Sequence, residues 1–190
     1  MKKVLSVILV GIMVFAFASC GGEKAVVDTA PKGENLNMVA EAKGLEEGAV
    51  YSADIYYEPV ETVEVSSSYA NRQEIADKEQ NIDLEFRLAN DTTFGNNKKI
   101  HSAEEGYTEF KVCDFDAYAY HFSNTMYKVY VLLEGTDESA KQAQYMDITV
   151  APWDKGSDTT GEMVFEMEYV QNVINSITYN GLITPGTEEK

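Results

Sequence analysis

Cysteine and histidine occur twice each in 190 residues and tryptophan once, while Lys and Arg together number 15 against 32 Asp and Glu. Two cysteines exclude a four-cysteine zinc site and a multi-bridge disulfide scaffold, and two histidines exclude a three-histidine metal centre. The formal charge of −17, with no run of Lys or Arg, argues against nucleic-acid binding, which draws its affinity from grouped cations on phosphates. Catalytic signatures are missing as well: there is no G-x-S-x-G elbow, no H-E-x-x-H and no Walker loop. His101 falls in a polar stretch and His121 in a strand-like one, neither at a diagnostic spacing from Ser or Cys. Carboxylate pairs arise everywhere in so acidic a chain and carry no weight for glycosidic cleavage. The chain therefore reads as non-enzymatic, with no metal or cofactor. Its length and 44% hydrophobic content suit one domain with a packed core.

What is present begins at the amino terminus, MKKVLSVILVGIMVFAFASC. Lys2 and Lys3 precede an apolar run from Val4 to Ala18, shorter than the roughly 20 residues a membrane span needs. Charge, short apolar core and small residues are the organisation of a secretory signal. Phe17-Ala18-Ser19-Cys20 resembles the lipobox of bacterial lipoproteins, with Phe17 where Leu is usual. The resemblance covers these twenty residues alone. It implies acylation of the Cys20 sulfur and removal of residues 1–19, and two or three acyl chains make a stable membrane anchor. Gly21 stands where an Asp would resemble the signal for inner-membrane retention, which implies the outer membrane of a Gram-negative cell. Gly22-Glu23-Lys24 is similar to the acidic export tags of Bacteroidota surface lipoproteins, and the periplasmic and cell-surface sides both stay open.

Four segments follow from composition: a signal peptide (1–19), Cys20 with a flexible tether (20–48), a β domain (49–184) and a polar tail (185–190). The linker-like part of the tether, Gly21 to Asn37, reaches at most about 55–60 Å when extended. Met38 to Glu47 has the composition of a short helix interrupted by Gly44.

From Ala49 onward the dominant signal has period two. Ile82 to Leu88 alternates strictly, and Met146 to Val150 does so more briefly before Pro152. Met163, Phe165, Met167 and Tyr169 repeat the pattern around Glu166 and Glu168. Tyr127 to Leu133 is apolar on both faces apart from Lys128, the mark of a central strand. Val50–Tyr57, Val60–Ser66 and Ile174–Leu182 read as further strands, the last against a competing helical spacing of Val170, Val173, Ile174 and Ile177. Asn90 to Asn97 reads as a polar loop. Tyr69 to Gln80 predicts a helix behind a Ser68 cap, and Asp137 to Gln144 a second short one. About eight short strands without βαβ alternation predict an all-β fold: an antiparallel β-sandwich, immunoglobulin-like or related, with a small β-barrel as the alternative and one or two short helices.

Candidate binding residues cluster in Cys113 to Phe122. Drawn as one strand, Asp114, Asp116, Tyr118 and Tyr120 share a face that could hold a sugar ring or offer oxygens to Ca²⁺; the alternative is a bulge after which the tyrosines simply pack. Trp153 beside a Gly-rich loop suits glycan stacking if exposed and core closure if buried. Asp154 to Glu162 lacks the ligand pattern of an EF-hand. Thr29, Thr92 and Thr159 each follow an Asp in tripeptides that resemble the O-glycosylation motif of Bacteroidota. The acidic stretches with no Lys or Arg, between Lys43 and Arg72 and between Lys155 and Lys190, read as solvated surface or as docking faces for a basic protein. Together these features predict a lipid-anchored envelope protein that binds or assembles with a protein or glycan. The alternatives are a lipocalin-like barrel carrying a small apolar ligand and, third, a carboxylate-based glycan-active enzyme.

Overall fold

Ile82, Leu84, Phe86 and Leu88 are fully buried, so the strict alternation of this segment becomes one core-facing stripe of a strand. The computed structural model describes residues 33–42, 47–91, 94–134 and 143–184, which lie within one unit, Pro31–Lys190. The signal peptide, Cys20, Thr29, Thr92 and the polar tail lie outside the described residues.

In chain order the elements are β1 (Glu34–Glu41), β2 (Val50–Tyr57), β3 (Val63–Tyr69), β4 (Arg72–Asp77), β5 (Ile82–Asp91), α1 (Phe94–His101), β6 (Thr108–Val112), β7 (Phe115–Ser123), β8 (Met126–Glu134), β9 (Ala143–Ala151), α2 (Gly161–Phe165), α3 (Glu168–Ile174) and β10 (Thr178–Ile183). The strands form two antiparallel sheets, one ordered β1-β2-β10 and one ordered β3-β4-β5-β9-β8-β7-β6. The protein is thus mostly β, with a sandwich-like architecture and three short helices among the described residues. The large sheet does not close into a barrel, because β3 and β6 are its two open edges.

One face of the large sheet carries the core. Ile75, Phe86, Ile148, Val129 and Ala119 line it on successive strands, and they pack with Met38, Ala53 and Ile55 of the small sheet and with Val164, Val170, Val173 and Ile174 of α2 and α3. The two helices therefore complete the cover that a three-stranded sheet cannot supply over seven strands. On the outer face of the small sheet Asp54 accepts amide hydrogens from Asn37 (2.8 Å) and Asn180 (2.9 Å), tying β1 and β10 to β2.

Several sequence expectations are corrected. The helix predicted over Tyr69–Gln80 is instead the last residue of β3, a turn, β4 and the turn after it; Ile75 supplies a buried stripe that β5 pairs with, and pairing overrides the helix preference of Gln, Glu, Ala and Lys. The stretch read as tether and short helix contains β1, whose Met38 and Ala40 are buried. Two inward residues in an otherwise polar segment are too weak a pattern to read without the partner strand. The alternating Met163–Tyr169 segment falls in two short helices: Val164 is buried in α2, and Val170, Val173 and Ile174 are buried at spacings of three and four in α3, while Met163 is exposed. Thr160 caps α2 by accepting the Met163 N–H at 3.2 Å. The loop expected over Asn90–Asn97 is the end of β5 and the start of α1, which Phe94 pins by full burial. β8 lies between β9 and β7, as the apolar Tyr127–Leu133 run predicts.

Candidate functional site

Across the outer face of the large sheet one register row runs through all seven strands: Tyr69, Arg72, Arg87, Asp147, Tyr130, Tyr118 and Glu109. Tyr69 joins this row through a bulge between Ser67 and Tyr69. The extra residue shifts the side-chain phase, so Tyr69 turns to the face of its partner Arg72. Its ring is 68% exposed. Arg72 and Arg87, the two arginines of the chain, are direct partners across β4 and β5.

Each arginine holds an acid. Arg72 is bonded to Glu85, which pushes the guanidinium pKa further up. Arg87 donates from Nη2 to Asp147 Oδ2 at 3.0 Å. Asp147 is buried, and its other oxygen accepts from Lys128 Nζ at 2.9 Å; the same ammonium reaches Thr149 Oγ1 at 2.7 Å. Two cations on one buried carboxylate satisfy it from both sides.

Strand lengths open a cleft beside this row. β4 begins opposite Arg87, whereas β5 continues to Asp91. Asn71, in the β3–β4 turn, takes over at Leu88: its carbonyl accepts the Leu88 N–H at 2.9 Å, and its side-chain amide donates to the Leu88 carbonyl at 3.1 Å. Asn90 Nδ2 donates to the Glu41 carbonyl at the end of β1. The space left between β1, this turn and β5 is a cleft of about 430 Å³, bordered by Glu41, Asn71, Arg87, Asn90 and Tyr145. Its size lies in the range of small-ligand sites.

The other half of the face is roofed by α1. His101, at the helix end, stacks on Tyr120 with ring centroids 4.3 Å apart. Its Nδ1 lies 3.1 Å from the Tyr118 hydroxyl and its Nε2 3.3 Å from that of Tyr120. Burial lowers the His101 pKa, although Glu104 and Asp147 pull the other way. The neutral ring then donates to one hydroxyl and accepts from the other. Burial likewise raises the pKa of Tyr118, Tyr120 and Tyr130, and the charge of Asp147 adds to the last two. These phenols stay protonated and serve as hydrogen-bonding wall rather than as bases or nucleophiles.

The predicted site residues are only partly brought together. The Cys113–Phe122 segment is a hairpin, not one strand: β6 ends at Val112, Cys113 adopts φ +50°, and β7 starts at Phe115. Asp114 is therefore in the turn, while Asp116 is exposed and paired with Lys111 at 2.6 Å. Tyr118 and Tyr120 share the outer face with Asp116, but both are buried beneath α1. Trp153 lies beyond the far end of β9, 40% exposed, with Lys78 Nζ 4.9 Å from its ring centre. Thr159 is half-buried, and its hydroxyl accepts from Asn81 Nδ2 at 3.3 Å. Sequence reasoning missed Tyr69, Arg72 and Arg87, which it placed on a helix or left on a generic polar face. The scarcity of arginine was the available signal.

A second, smaller hollow of about 200 Å³ lies by His121, whose Nε2 is 3.1 Å from Glu162 Oε2. Gly106 (φ +68°) allows the fit, since a Cβ there would come within 2.7 Å of the ring. Among the described residues no group of three or more His, Cys, Asp or Glu side chains is arranged to hold a metal ion, and no helix is long and apolar enough to cross a membrane. No protein-family model matches the chain, and no curated protein or solved structure is significantly similar to it.

Proposed function

We propose that this protein is a lipid-anchored, non-catalytic binding module of the cell envelope, held in the outer membrane through Cys20 and presenting the outer face of its large sheet to a glycan. The observation that carries the reading is the exposed Tyr69, which shares a register row with Arg87 at the border of a polar cleft of about 430 Å³. A sugar ring needs an apolar platform for its C–H face and polar groups for its hydroxyls. Tyr69 offers the first; Asn71, Asn90 and Arg87 at the cleft offer the second. The phenols and imidazole behind them are already engaged with one another, which favours recognition over chemistry.

Two measurements test this reading. A Cys20→Ser variant is expected to leave the membrane fraction and to lose acyl labelling, and its continued sedimentation with membranes would end the anchoring claim. The full-length protein in detergent is expected to bind oligosaccharides on an array, and Tyr69→Ala to weaken the signal while Tyr69→Phe retains it. An array with no saccharide signal refutes the glycan reading.

A further inference from the structure

The chain uses arginine twice and places both residues side by side. Arg72 and Arg87 are register partners on β4 and β5, where directly opposed side chains stand about 4.5–5.5 Å apart at Cβ. Like charges in that position are destabilising, and the partly exposed ion pairs with Glu85 and Asp147 return little stability. Both side chains remain open, at 42% and 48% exposure. Each spends Nη2 on its acid, which leaves Nε and Nη1 of each fork to a ligand. Lysine would serve a surface ion pair equally well, and every other cation of the described strands and helices is a lysine or histidine. What arginine adds is a planar fork matched to an oxyanion.

We propose that Arg72 and Arg87 form an anion subsite for the carboxylate of an acidic saccharide, with Tyr69 stacking on its ring and the cleft below Asn71 taking the neighbouring unit. This assignment rests on the glycan-binding reading above and names the class of glycan. A singly charged carboxylate fits better than a phosphate, because Glu74 and Glu85 are opposed in the next register row and Glu41 borders the cleft; a dianion would meet more repulsion from them. The exposed Tyr69 ring and the polar cleft, with room for a further sugar unit, favour a saccharide over the side chain of an acidic peptide.

The test is calorimetric titration of the full-length protein in detergent with a panel of uronate-containing oligosaccharides and with the same oligomers after reduction of their carboxyl groups. The acidic forms are expected to bind about tenfold tighter than the reduced ones, the difference one charge-assisted contact makes. Arg72→Lys and Arg87→Lys keep a cation beside Glu85 and Asp147, so the unfolding midpoint should hold while the preference for the acidic form falls in each. Equal affinity for acidic and reduced oligomers overturns the anion subsite and leaves the glycan reading standing. No binding of either form overturns both. An undiminished preference in the two lysine variants overturns the arginine assignment, and tighter binding of an oligoglutamate peptide overturns the saccharide.

Discussion

His101 lies against Tyr120 with ring centroids 4.3 Å apart and an interplanar angle of 27°, and the same imidazole reaches the hydroxyls of Tyr118 and Tyr120 through its two nitrogens. This contact fastens the end of α1 to β7. It ties the helix that roofs half of the outer face to an imidazole whose pKa burial lowers.

Burial lowers the His101 pKa from its ordinary value of about 6.5. The unfolded chain therefore binds the proton more readily, and stability from this site is complete above about pH 6.5 and lost as pH falls below it. Glu104 and Asp147 oppose the shift and Lys128 supports it. Easing of the protein's acidic self-repulsion acts in the opposite direction over the same range. The useful quantity is thus the difference between wild type and His101→Gln, which should narrow between pH 7 and pH 5 in urea unfolding. A constant difference would remove His101 from the account.

Gly161 opens α2 with no room for a side chain. A Cβ there would lie 2.5 Å from the Tyr127 nitrogen and 2.7 Å from the Val150 oxygen, both strand backbone. Gly161→Ala should cost about 3 kcal/mol or more by forcing α2 off β8 and β9. A loss below about 1 kcal/mol in chemical denaturation would show that the helix shifts freely.

Asp77 is fully buried at the end of β4 and accepts hydrogen bonds from the Glu79 and Gln80 N–H groups, the Thr62 hydroxyl and the Gln80 side chain. Burial alone would raise its pKa, and these four donors together bring it below the ordinary value. Its contribution is present above about pH 4 and disappears as pH falls through the lowered pKa. Asp77→Ala should destabilise by about 2–4 kcal/mol at pH 7, with the deficit shrinking in acid. A change within about 0.5 kcal/mol would mean that the turn holds without its carboxylate.

Ser176 ends the turn after α3 and replaces a strand partner for β2, where pairing with β10 stops at Asp54. Its hydroxyl accepts the Tyr56 N–H at 2.8 Å and lies 2.9 Å from the Tyr56 carbonyl. Ser176→Ala should cost about 1–2 kcal/mol and speed hydrogen exchange at the Tyr56 amide. Unchanged exchange there would refute the role.

The legibility of this chain followed the number of faces each segment buries. Ile82–Leu88 and Tyr127–Leu133 could be read because one or both faces meet the core over a full strand length. β1 and β4 could not, because β1 buries only Met38 and Ala40 through its middle, while β4 gets its order from β5. The Met163–Tyr169 alternation mimics a strand only if Met163 and Tyr169 face the core, and Met163 is exposed. Of the true core positions, Val170, Val173 and Ile174 follow helical spacing within α3, and Val164 is the inward side chain of α2. Tyr118 and Tyr120 stand out in the sequence as a pair, whereas α1, which covers them, has the polar composition of a loop.

By itself the sequence determined the strand-rich class, the inward stripe of the central strands, the acidic surface and the lack of catalytic signatures. Those properties depend on composition and on local period, which neighbouring residues carry without help from distant ones. Tertiary structure alone decided that Arg72 meets Arg87, that a bulge turns Tyr69 to the same face, and that Asp114 and Trp153 stay apart from the buried tyrosines. Register and strand length are relations between segments. They are settled by which backbone groups pair across a sheet, and a single strand's side-chain pattern does not record its partner.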